Sequence, residues 1–238
     1  MWHIQRIDSP LLSSYKLIAF VGSGGKTTLM EFCARSLVKK GKSVAITTTT
    51  KIFATKPFFL FENVYEKHCH RDFVRIGKNL SEKKLTGLSF DEIEKLCEVY
   101  DVVLVEADGA KGKPLKFPSQ HEPVIPPFSE MTYVLCGLDG ISGRVDKMVF
   151  RWELLKNATG IDGSTNISKQ EFLRFFSYDI LLKGVDIKRS TIVLNKYDAL
   201  HNRASAVELA KMIIQKTGIG GVVVASTLFN IFYLVRRT

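Results

Sequence analysis

A run of apolar residues, Leu17-Ile18-Ala19-Phe20-Val21, passes directly into Gly22-Ser23-Gly24-Gly25 and then Lys26-Thr27-Thr28. This stretch restricts the fold strongly, because it prescribes a buried strand, a turn able to hold an anion and a helix in that order. Glycines at 22, 24 and 25 remove the side chains that would keep the backbone away from phosphate oxygens. They also tolerate positive φ, so the N–H groups of this turn, Ser23 included, can converge on one anion-sized hollow. Lys26 is expected to reach the β- and γ-phosphates of a nucleoside triphosphate, and the Thr27 hydroxyl to ligate Mg²⁺, with Thr28 completing the nucleotide-binding set. Leu29, Met30, Cys33, Ala34, Leu37 and Val38 recur at helical spacing, which predicts a helix over 27–40 whose positive end faces the phosphates. The spacing departs from the commonest phosphate loop: Phe20 stands five positions before Gly25, where glycine is usual, and Gly22 lies three before it.

Two more segments supply parts of the same chemistry. The strand-like Asp101-Val102-Val103-Leu104-Val105 ends in Glu106-Ala107-Asp108-Gly109, bringing two carboxylates to a strand's carboxyl end. One carboxylate is suited to the Mg²⁺ shell and the other to an attacking water. Asp108 is expected on the metal side with Thr27, and Glu106 in the second role, with the reverse assignment open. Late in the chain, Thr191-Ile192-Val193-Leu194 delivers Asn195-Lys196-Tyr197-Asp198. The Asp198 carboxylate can accept two hydrogen bonds from guanine that adenine cannot offer, the Lys196 stem can pack on the ring, and Asn195 can fix the loop. Such buried pairing discriminates by about 10⁴, because the wrong base leaves it unsatisfied. Ser226, at the end of a further apolar run, falls where a backbone N–H can meet the base. GTP is therefore the expected substrate, with ATP the alternative, and Lys26, Glu106 and Asp108 form the expected catalytic set.

Short β-branched runs predict parallel strands over 17–21, 43–48, 102–107, 132–137, 191–194 and 221–225. Helical patterns over 27–40, 90–100, 150–159, 169–182 and 204–217 alternate with several of them. That alternation implies an α/β fold, a doubly wound and mostly parallel sheet with ligands at the strands' carboxyl ends. The segment 58–89 breaks the pattern. Its Phe73-Val74-Arg75-Ile76-Gly77 and Leu85-Thr86-Gly87-Leu88 pieces read as a small inserted hairpin. With 238 residues, 45% of them hydrophobic, one domain over 1–238 accounts for the chain.

A net charge of +10 favours anionic partners, but the basic residues are dispersed and no tract interleaves them with aromatics, so nucleic acid is not expected. The four cysteines, Cys33, Cys69, Cys97 and Cys136, form no Cys-x-x-Cys pair, which fits a reduced, cytoplasmic setting. No run approaches the ~20 apolar residues of a membrane span. Thr49, Thr50 or Lys51 is placed to sense the γ-phosphate. His68-Cys69-His70 offers soft-metal donors, although neighbours on one segment do not complete a tetrahedral site. Lys111, Lys113 and Lys116 read either as a solvated loop or as an attraction for an anionic cofactor. His121-Glu122 reads either as solvated or as orienting a second substrate or a partner. Arg144 and Arg151 read as surface charges, with phosphate stabilisation as the other reading.

Taken together these residues resemble a known family, the YqeC-like accessory proteins associated with selenium-dependent molybdenum hydroxylases. The resemblance is carried by the segment from Val21 to Met30, by Thr47-Thr48-Thr49-Thr50-Lys51-Ile52-Phe53 and by the segment from Val103 to Lys116. His121-Glu122-Pro123-Val124-Ile125-Pro126, Gly137-Leu138-Asp139, Leu182-Lys183-Gly184 and Asn195-Lys196 carry it further. It implies a P-loop NTPase that assists insertion, maturation or delivery of a selenium- and molybdenum-containing cofactor into such a hydroxylase, with the hydroxylase or its cofactor-maturation proteins as partners. The short Gly-x-x-Gly-Lys-Thr-Thr loop also resembles that of Mur-type peptide ligases. An ATP-dependent phosphotransferase or ligase acting on a small anionic substrate is accordingly the alternative function.

Overall fold

The computed structural model describes residues 1–11, 13, 15–64, 72–200 and 202–238. His68-Cys69-His70 lies outside the described residues. In chain order the elements begin with β1 (Trp2–Ile7), β2 (Leu17–Gly22), α1 (Lys26–Val38), β3 (Val44–Thr48), β4 (Lys51–Phe53) and β5 (Phe58–Leu60). They continue with β6 (Val74–Gly77), β7 (Leu80–Ser81), β8 (Lys84–Thr86), α2 (Phe90–Val99), β9 (Val102–Glu106), β10 (Leu115–Lys116) and β11 (Met131–Gly137). The remainder comprises α3 (Val145–Met148), β12 (Val149–Phe150), α4 (Trp152–Thr159), α5 (Lys169–Arg174), β13 (Ser190–Asn195), α6 (Ala204–Thr217), β14 (Val222–Ser226) and β15 (Ile231–Arg237).

The main sheet runs β1-β15-β14-β13-β11-β2-β9-β3-β6-β5. Every ladder in it is parallel except the two made by β15, which is antiparallel to both β14 and β1. The central strands are buried on both faces, and so they read as continuous apolar runs rather than alternating ones. Alternate residues go to opposite layers. Ile18 and Phe20 pack with Leu29, Met30, Cys33 and Ala34 of α1. On the other face Val103 and Val105 meet Ile93 and Leu96 of α2, while Ile192, Leu194, Val222 and Val224 meet Leu209 and Ile213 of α6. The fold is thus an α/β, P-loop-type doubly wound sheet. Leu29 has no solvent exposure, and shortening it to Ala would cost about 2–5 kcal/mol.

Sequence and structure differ in three places. Residues 74–77 do not form a hairpin: β6 joins the main sheet beside β3, and β5 follows it, because Val74 and Ile76 fill the layer under α2. The hairpin is β7–β8, and β4 extends it into a three-stranded antiparallel sheet. The helix expected over 169–182 stops at Arg174; Phe172, Phe175, Phe176, Ile180 and Leu182 enter one core cluster through successive turns instead. Helix α4 begins at Trp152 because Val149 and Phe150 pair with Leu115 and Lys116.

This topology positions a site. The chain goes from β2 to β3, returns to β9 between them, and crosses to β11 on the other side of β2. The loops after β2, β9, β3 and β13 therefore gather at one edge of the sheet, where the strand order reverses and ligands bind in such folds.

Candidate functional site

The loop after β2 rests on its neighbours through closely fitted backbone. A Cβ added at Gly24 would lie 2.2 Å from the Gly137 nitrogen, and one at Gly25, whose φ is +110°, would lie 2.6 Å from Asn195 Nδ2. Neither position has room for a side chain. Three loop amides are occupied: Gly22 N donates to Asp108 Oδ2 (2.8 Å), Ser23 N to the Leu135 carbonyl (2.9 Å) and Gly24 N to the Lys113 carbonyl (3.1 Å). The hollow expected from the amides of 22–24 is thus spent on holding the loop. What remains open is the first turn of α1. Its first intrahelical bond is Leu29 N to Gly25 O, which leaves the N–H groups of Gly25, Lys26, Thr27 and Thr28 without helical partners. No acidic side chain occupies that turn, so its positive end is unscreened.

Lys26 is buried. Its ammonium donates to the Gly22 carbonyl at 2.6 Å and lies 3.0 Å from Asp108 Oδ1 and 3.9 Å from Glu106 Oε1. Burial alone would lower its pKa, but Asp108 and then Glu106 outweigh it, so the group is held above its ordinary value and stays charged. The Glu106 carboxyl is also raised above its usual range, here by burial, against the pull of Lys26.

The two carboxylates do not divide as expected. Glu106 Oε2 accepts from the Thr27 hydroxyl (3.3 Å), and both residues line the open cleft. Asp108 lies beneath the loop, where Lys116 Nζ also reaches its Oδ2 at 3.0 Å, and it is not on the cleft wall. Glu106 is thus the carboxylate beside Thr27 on the cleft wall and Asp108 the one that holds the loop from beneath, the placement that the sequence left as the open alternative. Thr27 and Glu106 offer the hard oxygen donors that Mg²⁺ takes alongside phosphate oxygens and water, so the donor set fits that ion.

Beyond Asp108 runs a chain of alternating charge. Lys116, 1% exposed, also donates to Glu122 Oε2 (2.8 Å) and to the Gly109 carbonyl (2.7 Å). Glu122 in turn takes a two-pronged contact from the Arg151 guanidinium. Although burial acts to raise it, Arg151 and Lys116 hold the Glu122 carboxyl down at about 2. Arg151 has φ +61° and its guanidinium lies 4.5 Å from the centroid of the Phe150 ring, at the mouth of the cleft. None of the sequence readings, a solvated loop or an attraction for an anionic cofactor at Lys116, a solvated loop or an orienting role at Glu122, a surface charge or a phosphate-stabilising group at Arg151, includes this buried ion-pair chain. A signal was present in Leu115-Lys116-Phe117, a lysine set between two apolar neighbours. Arg144 is the surface charge it was read as, exposed and paired with Asp146.

The late loop meets the phosphate loop. Asn195 Nδ2 donates to the Gly24 carbonyl (2.9 Å), and its Oδ1 accepts from Thr227 N (3.2 Å) and the Thr227 hydroxyl (2.9 Å). Lys196 lines the cleft and pairs with Asp139 at 2.6 Å. Ser226 is fully buried and its hydroxyl donates to Asp198, so it supplies that contact rather than an exposed group. Asp198 and Asn195 are not among the residues that line the cleft. Of the threonine run, Thr47 donates to Ile76 O, Thr48 to Glu106 O and Thr49 to Val124 O; Thr50 and Lys51 reach the cleft. The cleft has a volume of about 960 Å³.

The family model described as "YqeC protein" matches residues 18–153, more than half of the chain. The chain belongs to the YqeC family. The uncharacterized protein YqeC of Escherichia coli (strain K12) is 32% identical to it over 156 residues, 61% of this chain and 61% of that protein. The family match thus takes in the phosphate loop, both carboxylates, the Lys116–Glu122–Arg151 chain and all the strands from β3 to β12. It stops short of β13 and the Asn195 loop. Among solved structures, FtsY from Mycoplasma mycoides aligns with a TM-score of 0.43 and 14% identity, covering 98% of this chain and 67% of that one. Among the described residues, no helix is long and apolar enough to cross a membrane.

Proposed function

We propose that this YqeC-family chain is a single-domain, Mg²⁺-dependent nucleoside triphosphatase with a preference for GTP. On this reading it drives a step in the maturation of a selenium-dependent molybdenum hydroxylase or its cofactor. The observation that carries the reading is the open first turn of α1, with four unpaired amides, facing a cleft that holds Lys26, Thr27 and Glu106. The four amides and Lys26 bind the β- and γ-phosphates. To do so, Lys26 exchanges its bond to the Gly22 carbonyl for phosphate oxygen, while Asp108 keeps the ammonium aimed and charged. Thr27 and Glu106 would hold Mg²⁺, which would supply positive charge against the phosphate oxygens.

Turnover by the protein alone is expected to be slow. Of the two carboxylates on the cleft wall, Glu106 is committed to Thr27 and Glu122 to Lys116 and Arg151, so neither is free to take a proton from water. Rates of about 10⁻⁴ to 10⁻² s⁻¹ are usual for such switches before a partner completes the site. The hydroxylase role follows from the family resemblance, and the guanine preference from Asp198 and Lys196.

The test is a competition titration of GTP against ATP with Mg²⁺, on the parent and on Asp198→Asn. GTP should win in the parent and lose its advantage in the variant. If neither nucleotide binds, the proposal fails; if ATP wins in the parent, the guanine assignment goes and the ATP-dependent phosphotransferase becomes the better reading.

A further inference from the structure

We propose that the half of the cleft on the β3 side is a site for a second ligand, a phosphorylated compound carrying a planar ring. The inference rests on the nucleotide reading above for the direction in which the nucleotide lies.

That direction comes from topology. The base-reading loop follows β13, two strands to one side of β2, and Thr50 to Phe53 follow β3, two strands to the other. At about 4.8 Å between neighbouring strands, the two groups flank the phosphate loop roughly 19 Å apart. A nucleotide with its phosphates on α1 and its base toward Lys196 therefore fills one half of the cleft. The other half, between the β4–β8 sheet and the arm of residues 109–113, is left.

That remaining half has a definite chemistry. Lys51, Lys84 and Lys111 line it, and among the described residues none of them has a carboxylate within ion-pair distance. The carboxylates that do face the cleft are already matched by Lys26, Lys116 and Arg151. A surplus of unpaired ammonium groups in a concave site calls for an anion beyond the one on α1.

Both walls also carry a ring with a cation at its face. Lys84 Nζ lies 4.9 Å from the Phe53 centroid, and Lys111 Nζ lies 5.5 Å from that of Phe150. Phe53 is 64% exposed, a large apolar ring left in solvent at a cleft wall. A ring beside an ammonium matches a ligand with a planar body and a phosphate. The body gains apolar contact with Phe53 or Phe150, and the phosphate gains charge-assisted hydrogen bonds.

Flavin mononucleotide is a suitable probe, with riboflavin and inorganic phosphate as its two halves in chemistry. Each is titrated, by fluorescence or equilibrium dialysis, into protein saturated with Mg²⁺ and a non-hydrolysable GTP analogue, and separately into nucleotide-free protein. The expected result is saturable binding of flavin mononucleotide with the analogue retained, and riboflavin and inorganic phosphate each about tenfold weaker or more. Lys84→Ala and Lys111→Ala should each weaken the probe about five- to tenfold while leaving the analogue's affinity within about twofold. Absence of saturable probe binding overturns the proposal. So does mutual displacement of probe and analogue, or variants that leave the probe's affinity unchanged. If the analogue itself does not bind, the nucleotide reading falls, and the titration of nucleotide-free protein still decides whether the lysines and rings form a site.

Discussion

The side-chain amide of Asn195 donates to the carbonyl of Gly24 at 2.9 Å across 171 residues of sequence, while its oxygen accepts from Thr227. One buried side chain thus fastens the phosphate loop to the two loops proposed to read the base. Replacing Asn195 with Ala strands a carbonyl and an N–H in a buried place, at a cost of about 2–4 kcal/mol. Urea unfolding should show that loss, and affinities for GTP and ATP should fall together. An Asn195→Ala protein that lost only its preference between the bases would contradict a fastening role.

Gly25→Ala tests the mould directly. With φ at +110° and the new Cβ 2.6 Å from Asn195 Nδ2, the substitution both strains the backbone and pushes on that fastening amide. A left-handed non-glycine residue costs about 1–2 kcal/mol before any clash. Nucleotide binding should be abolished while the circular dichroism of the sheet and helices stays. Normal binding in this variant would mean that the loop adapts freely.

Glu106→Gln and Asp108→Asn should separate by readout. The first removes a charge that burial disfavours, so stability should hold or rise, while Mg²⁺ dependence of nucleotide binding weakens by at least about tenfold. The second leaves Lys26 and Lys116 short of a counter-charge in a buried place and should cost about 3–5 kcal/mol of folding stability. If Asp108→Asn instead abolished Mg²⁺ dependence with stability unchanged, the assignment read first from the sequence would stand.

Glu122 gives a pH signature. Its carboxyl is held down at about 2 from an ordinary 4.5, so the folded state binds fewer protons there than the unfolded chain. That contribution is complete above pH 4.5 and is lost as the pH falls toward 2. The stability difference between the parent and Glu122→Gln should therefore be flat above about pH 5 and shrink on acidification. A difference that grew as the pH dropped would show that the carboxylate is not held by Lys116 and Arg151.

Much of this was legible before any coordinates, for a physical reason. Central strands such as Val102 to Val105 are covered on both faces, and burial on both faces leaves an unbroken apolar run. The phosphate loop was legible because only glycine fits where backbone presses on backbone. The Lys116–Glu122–Arg151 chain was not, because its burial depends on β10 pairing with β12, a contact between segments more than 30 residues apart. Residues 73–77 misled for a related reason. An apolar run states that it is covered, not by which sheet: Val74 pairs with Ala45 of β3 and Ile76 with Phe59 of β5, neither with Leu85. The helix over 169–182 was over-extended because apolar density there reflects a crowded cluster, not a helical period.

Gly24 donates its amide to the carbonyl of Lys113, and a Cβ added at Gly109 would meet nothing within 4 Å. The phosphate loop is thus seated on the sheet on one side and tethered, on the other, to the arm of residues 109–113. A change of charge in the hollow, as when a terminal phosphate departs, would tug that tether and swing Lys111 at the surface. A docked partner could sense the fuel state there without touching the fuel.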